Sequence, residues 1–570
     1  FLAFALRAGT RALFTGKVEE YQGPCLRSPE YEVLDEKAED ARLHTGRVVP
    51  LYPLTDKVTQ RMLRRWVALA LEQLDDLPDD ALPAHLRTRY GFPTLAAALP
   101  AVHFPDAPEA AEAARRRFVY EELLAMQLAL LQARAAAGAQ PGCAHQIDGP
   151  RLAALRNGLP FQLTAAQARV ADEVLRDMAA PVPMARLVQG DVGCGKTVVA
   201  MLAAAAAADS GMQTAFMAPT EVLAEQHFHN LSRMLAPAGV RVTLLTGALR
   251  GAAVIRREIA AAAVDVVVGT QALFQEATRF RRLGLVVIDE QHRFGVAQRE
   301  RLRDKGAAPD LLQMSATPIP RTLALSVYGA LDVSVIDALP PGRQPVQTSR
   351  VPARKVADCY RFVAEQAAAG HQAYIICPLV APSDVKALKA AIEHYEELAH
   401  GPLAGTACAL LHGQLDPAEK ADILARFAAG EVAVLLSTTV VEVGVDVPAA
   451  TIMVIEDAPQ FGLTQLHQLR GRVGRGAAPA HCFLLGTPTT EDGRTRLQTL
   501  CDTNDGFAIA EADLRQRGPG EFAGVRQAGL NDLRLADLAR DAAWLERARD
   551  DAVAMLRDDP QLTAPEHVML

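Results

Sequence analysis

Residues 190–197 read GDVGCGKT, and further along an apolar run ends in paired carboxylates, LVVIDEQH at 285–292. The first is a G-x-x-x-x-G-K-T phosphate loop. Such a loop needs a strand before it and a helix after it, because its backbone N–H groups reach phosphate oxygens from a helix N-terminus. Alone, a glycine-rich turn can be only a tight turn, and an apolar strand ending in Asp-Glu only a buried strand meeting solvent. In this order and at domain-sized spacing the two together imply binding and hydrolysis of a nucleoside triphosphate on magnesium. Composition sharpens the point. The chain has 9 lysines against 50 arginines, and Lys196 is the only lysine between Lys57 and Lys305. A compact ammonium on a flexible stem fits a crowded phosphate cradle where a planar guanidinium does not.

At 570 residues the chain is long enough for three or four domains. Half of its residues are hydrophobic and 22% are charged, a soluble globular composition, and no apolar stretch reaches the roughly 18 residues of a membrane span. The 8 cysteines form no C-x-x-C pair, and Cys194 sits inside the phosphate loop. This pattern points to reduced thiols in a cytoplasm rather than to a zinc site or a disulfide scaffold. Net charge is −8, so any nucleic-acid binding must rest on local basic surface. The chain starts at Phe1 without a signal peptide, which reads as a truncation.

Residues 1–50 alternate apolar and polar positions between turn signals and predict short strands of a barrel. In 51–150, RMLRRWVALALEQL and RRRFVYEELLAMQLALLQARAAA carry apolar positions at three-to-four spacing and predict amphipathic helices, closed by the linker PGCAHQIDGP. From 151 to 336, six strand-like runs (ARLVQG, QTAFMAP, VRVTLLTG, VDVVVGT, LGLVVIDE and LLQMSAT) alternate with helical ones, which predicts a parallel α/β sheet with ligands at the strand carboxyl ends. After the linker DALPPGRQP, residues 337–490 repeat the cycle with QAYIICP, ACALLHG, VAVLLST and TIMVIED but without a phosphate loop. Two tandem sheets of which one binds phosphate predict a cleft with the nucleotide held between the halves; residues 491–570 follow as a separate segment.

The chemistry can be assigned residue by residue. Gly190, Asp191, Val192, Gly193, Cys194 and Gly195 supply the cradle, with glycines where the backbone must approach phosphate. Lys196 reaches the β- and γ-phosphates, while Thr197 and Asp289 hold magnesium. Glu290 orients or deprotonates the attacking water. His292 is either a surface histidine after a strand or a γ-phosphate sensor. In QLHQLRGRVGRG (465–476), Arg470, Arg472 and Arg475 could form a solvated basic face. A transferring phosphoryl group needs a cation from across the cleft, which makes Arg472 and Arg475 the arginine-finger candidates.

MAPTEVLAEQH (217–227), LLTG (244–247), VVVGTQAL (266–273), MSATPIPRTLA (314–324), STTVVEVGVDVP (437–448) and HQLRGRVGRG resemble the ordered motif series of superfamily 2 helicases. FGVAQRERL after DEQH, PFQLTAAQ upstream and DLRQRGPGEFAGVRQAG (513–529) narrow the resemblance to the RecG family of bacterial ATP-dependent DNA helicases, which remodel stalled forks and migrate branched junctions. The likeness runs from the barrel segment, through VPLYPLT at 49–55, almost to the C-terminus.

The resemblance implies two RecA-like domains preceded by a truncated OB-fold wedge and a helical linker, and followed by a helical hairpin. It implies ATP and Mg2+ as cofactors and branched DNA (replication forks, Holliday junctions) as the partner. Single-stranded-DNA-binding protein is a further candidate partner, and the expected state is a monomer with no membrane association. Phe161 and Gln167 would stack on and hydrogen-bond to adenine. Thr220, Thr246, Thr270 and Thr439 would line the DNA backbone track, and Ser315 and Thr317 would link hydrolysis to it. Arg526 and Gln527 would relay domain closure to movement on duplex, although RGPGEFAGVRQAG read by itself is equally a glycine-rich helix connection. The family's wedge aromatic has no clear counterpart; Phe1 and Phe4 are the candidates. Two rivals stay open: a transcription-repair coupling translocase, and an ATP-gated DNA clamp that binds without turnover.

Overall fold

The computed structural model describes residues 9–20, 23–33, 43, 47–73, 79–138, 141–247, 251–290, 302, 305–315, 331–340, 344–378, 384–438, 447–476, 478–517, 533–538 and 540–569. The chain divides into two compact units. One comprises residues 1–129 with 533–536 and 540–570; the other comprises 130–532 with 537–539.

The first unit opens with β1 (Ala12–Glu20) and β2 (Pro24–Val33), an antiparallel ribbon whose register shifts between Thr15 and Lys17. Helices follow at Gln60–Leu71 and Leu95–His103, each started by a threonine (Thr59, Thr94) whose hydroxyl accepts an orphan N–H of the first turn. The long helix Pro108–Gly138 follows. The helix Ala542–Asp558 returns to this unit from the far end of the chain. It buries Leu545, Ala548, Ala552 and Met555 there, and its Asp551, buried with them, is satisfied: Arg89 Nη1 donates to it at 2.6 Å, Tyr90 Oη at 2.7 Å and Tyr120 Oη at 2.6 Å. Around that carboxylate Tyr90, Phe92, Tyr120 and Trp544 pack with tilted or edge-on rings.

The second unit holds two parallel sheets. The first is formed by β3 (Ala185–Gly190), β4 (Gln213–Met217), β5 (Val242–Leu245), β6 (Val266–Gly269), β7 (Leu283–Ile288), β8 (Asp310–Ser315) and β9 (Asp332–Ile336), in the order β5-β6-β4-β7-β8-β3-β9. Its central strands read as unbroken apolar runs because both faces are covered by helices; every residue of β6 and β7 is buried. In the helix Lys196–Asp209 all residues but Thr197 and Asp209 are buried, and its alanines let the backbone lie close to the sheet while favouring helix.

The second sheet has β10 (Gln347–Arg350), β11 (Gln372–Ile376), β12 (Cys408–Leu411), β13 (Val434–Ser437), β14 (Ala450–Ile455) and β15 (His481–Leu484), in the order β10-β15-β14-β11-β13-β12. The ten strands expected from the sequence are present, with three more that the pattern did not show. β9, β10 and β15 are short; β9 and β10 are edge strands, where half the backbone needs no ladder partner and side chains can stay polar, as QTSR does. Among the described residues no helix is long and apolar enough to cross a membrane.

Candidate active site

The site lies at the carboxyl ends of the first sheet, where parallel strands open toward solvent. Gly190 ends β3, and Asp191, Val192, Gly193, Cys194 and Gly195 form the turn into the helix that begins at Lys196. Gly195 is required twice: its φ is +87°, and a Cβ there would stand 2.2 Å from Gln167 Nε2. No side chain caps this helix, so its first N–H groups face the loop, as an anion cradle demands. Lys196 is buried, and its Nζ donates to the carbonyls of Gly190 at 2.7 Å and Asp191 at 3.0 Å, with Cys194 Sγ at 3.7 Å. Thr197, one residue on, is half-buried in the first turn.

Asp289 and Glu290 follow the end of β7. His227 Nε2 lies 2.8 Å from Asp289 Oδ2, and the Glu290 amide donates to Asp289 Oδ1 at 3.0 Å. Burial pushes the Asp289 carboxyl upward, but the His227 hydrogen bond and charge, the Lys196 ammonium and the Glu290 amide outweigh it and hold the group below the ordinary carboxylate range. Glu290 adopts φ +50°, a left-handed backbone unusual for a glutamate and the kind of strain that clusters at working sites. His227 is the residue the sequence reading passed over. It lies in MAPTEVLAEQH, two helical turns beyond Thr220, and nothing in the spacing says that this helix folds back over the end of β7.

Phe161 is half exposed on a cavity of about 480 Å³ that Asn157, Leu159, Gln162, Leu163 and Ala168 also line. Gln167 is buried between that segment and the phosphate loop. Its Oε1 accepts from the Thr164 amide at 2.9 Å, and its Nε2 donates to the Cys194 carbonyl at 2.8 Å. It therefore ties the start of the helix Ala165–Met178 to the phosphate cradle through a capping box.

Thr220, Thr246 and Thr270 follow the ends of β4, β5 and β6, neighbours on one half of the sheet, while the nucleotide residues follow β3 and β7 on the other half. Thr220 caps the helix Glu221–Leu235; Thr246 and Thr270 are nearly buried. Ser315 is buried as the last residue of β8, between the two halves. His292, Thr317, Thr439, Arg526, Gln527, Phe1 and Phe4 lie outside the described residues.

The second sheet brings the helix Leu463–Arg470 and the arginine motif to the phosphate loop. His467 Nε2 is 2.7 Å from Asp191 Oδ1. Gly471 comes so close that a Cβ on it would stand 2.8 Å from Val192 Cβ. Arg470 is buried, donating to the carbonyls of Leu500 and Thr503, each at 2.8 Å. Arg475 Nε donates to the Gly471 carbonyl at 3.3 Å, and Arg472 is half-buried beside it.

A phosphate loop on one parallel sheet, met by an arginine motif from a second, defines a nucleotide-driven helicase of the two-sheet class. The DEAD/DEAH box helicase family matches residues 164–325, the helicase conserved C-terminal domain 354–477, and the family "ATP-dependent DNA helicase RecG, domain 3, C-terminal" 503–570. ATP-dependent DNA helicase RecG of Synechocystis sp. is 47% identical over 95% of this chain and 66% of its own length. The Bacillus subtilis protein is 46% identical over 92% of the chain and 77% of its own length; that of Escherichia coli K12 is 46% identical over 95% and 80%. A structure of RecG bound to a three-way DNA junction matches with TM-score 0.71 and 41% identity, covering 94% of this chain and 70% of that one. The chain belongs to the RecG family of ATP-dependent DNA helicases. It spans about two thirds of the Synechocystis relative's length.

Proposed function

We propose that the chain is an ATP-driven translocase on duplex DNA that remodels stalled replication forks and migrates Holliday junctions. The observation that carries the reading is the seating of the arginine motif on the phosphate loop inside one compact unit, through His467–Asp191 and Gly471–Val192. The RecG relative bound to a three-way junction supplies the class of DNA.

The residues present fit ATP and Mg2+: the uncapped helix start, the left-handed glycine that turns the loop into it, and the Asp289 carboxylate held ionised in the field of the Lys196 ammonium. Lys196 and the loop amides would hold the phosphates, Thr197 and Asp289 the magnesium, and Phe161 the base, with Gln167 between base and cradle. ATP supplies the anhydride whose cleavage drives the cycle, and magnesium neutralises charge on its phosphates. Glu290 orients the attacking water and takes its proton. Arg472 and Arg475 stabilise charge on the transferred phosphoryl group from across the cleft, worth about 10³–10⁵ in turnover for such arginines. His292 would sense the γ-phosphate. Thr220, Thr246, Thr270 and Thr439 track the DNA backbone, and Ser315 and Thr317 connect that track to the cradle. Residues 1–50 would form part of an OB-fold wedge, 51–150 a helical linker, 151–336 and 337–490 the two RecA-like domains, and 491–570 the hairpin and C-terminal segment. The setting would be a cytoplasm, with a monomeric chain and single-stranded-DNA-binding protein as a further partner.

The test is phosphate release on a three-way junction, linear duplex and single strand, with strand separation of the junction measured alongside. Release should be strongest on the junction and accompanied by separation. ATP binding without release on any DNA would leave a clamp in place of a motor. With Arg472→Ala, kcat should fall far more than KM rises.

A further inference from the structure

The contact between the arginine motif and the phosphate loop is made by a histidine that the roles above leave unused. His467 is buried, with its two ring nitrogens facing different partners: Nδ1 is 3.0 Å from Arg470 Nη2, and Nε2 is 2.7 Å from Asp191 Oδ1. A guanidinium has only donors, so Nδ1 must accept. The ring is therefore neutral with its proton on Nε2, and that proton is given to the Asp191 carboxylate. Arg470 cannot turn away to allow another arrangement, because its Nη1 is tied to the carbonyls of Leu500 and Thr503. Asp191 Oδ1 in turn accepts from the Val192 amide at 2.6 Å, so the carboxylate that receives the histidine proton also shapes the loop. His467 and Gly471 are one helical turn apart, joined by the Gly471 amide donating to the His467 carbonyl at 2.9 Å. They meet consecutive loop residues, Asp191 and Val192.

We propose that His467 is a positioning residue for ATP hydrolysis. It fixes the register of the arginine motif on the phosphate loop through Asp191, so that Arg472, the residue after Gly471, is delivered to the cradle at one depth. This rests on the ATPase reading above. The bridge is a partly buried hydrogen bond to a charged acceptor, and its loss should lower kcat by on the order of tenfold to a hundredfold. KM for ATP should move less, since His467 faces the loop's side chain and not its cradle.

The experiment compares wild type, His467→Ala, His467→Gln, Asp191→Ala and the His467→Ala/Asp191→Ala double variant in junction-stimulated phosphate release. Glutamine keeps an N–H for Asp191 and an acceptor for Arg470, so it should recover most of the kcat that alanine loses. The double variant should be no slower than the slower single variant. Independently of turnover, amide hydrogen exchange in the nucleotide-free protein should rise in residues 463–471 and 191–196 together in His467→Ala, and stay near wild type in His467→Gln. Effects that multiply in the double variant, glutamine as slow as alanine, or exchange unchanged in both segments would each overturn the bridge. Wild type that releases no phosphate would instead remove the ATPase reading itself.

Discussion

Lys196 is where sequence and structure meet most directly: a lone lysine across nearly 250 positions of an arginine-rich chain, found with its ammonium inside the phosphate loop. Lys196→Ala should cut ATP turnover by well over tenfold, about 1.4 kcal/mol of transition-state stabilisation for each factor of ten. DNA affinity should hold, because it comes from many distributed phosphate contacts. Filter binding beside phosphate release checks both; turnover within tenfold of wild type would end the assignment. Asp289 gives a prediction in pH. Its carboxyl is held low against burial chiefly by His227. Removing that partner in His227→Ala should raise the Asp289 pKa in the magnesium-free, nucleotide-free protein, followed by NMR titration of that carboxyl; an unmoved titration would take His227 out of the site. The positions of Lys196, Asp289 and Arg472 on their own strand or helix were legible because motif spacing fixes them. The contacts of His227 and His467 were not, because they depend on which helix folds over which strand end, and a single sequence carries no record of that pairing.

Among elements, the buried apolar strands were readable and the short, polar ones were not. LGLVVI can only be a strand covered on both faces, whereas QTSR becomes one by lying beside β15. The start of β8 carries a different signal. Asp310 Oδ1 accepts the Met184 amide at 2.7 Å, which locks β8 to the entry of β3, and its Oδ2 lies 3.3 Å from the buried His145. Burial, with help from Asp177, pushes the Asp310 carboxyl up to about 7. A carboxyl raised on folding contributes stability that is fully present below its unfolded value, near 3.9, and is lost as pH rises through the folded value. Asp310→Asn keeps the acceptor for Met184 and removes the ionisation. Its unfolding temperature should exceed that of wild type by more at pH 8 than at pH 5; an equal gap at both would show that the carboxyl does not titrate on folding.

For the molecule as a whole, the fold class and the order of the two sheets were open to reading, and so was the family. The division into units was not, because a 17-residue helix near the C-terminus carries no mark of the partner it seeks near residue 120. The coupling of hydrolysis to movement belongs at this scale. Arg526 and Gln527, far along the chain from every nucleotide motif, are proposed to carry it. The variant Arg526→Ala/Gln527→Ala should keep DNA-stimulated phosphate release and lose junction unwinding. Unwinding at the wild-type rate per ATP consumed would sink the proposal, and parallel loss of both activities with thermal stability would make these residues structural.

The Asp551 cluster also fixes an order of events during synthesis. The Tyr90, Tyr120 and Arg89 side chains leave the ribosome early, yet the carboxylate that satisfies them is translated more than 400 residues later. At roughly 5–20 residues per second that is a wait of about 20 seconds to a minute and a half. The two-sheet unit, whose chain lies almost wholly between, can fold in that interval, while the first unit stays incomplete until the last helix emerges. A chain stalled before residue 540 would therefore carry Tyr90, Phe92 and Tyr120 without Trp544 and without the carboxylate that their hydroxyls and Arg89 require.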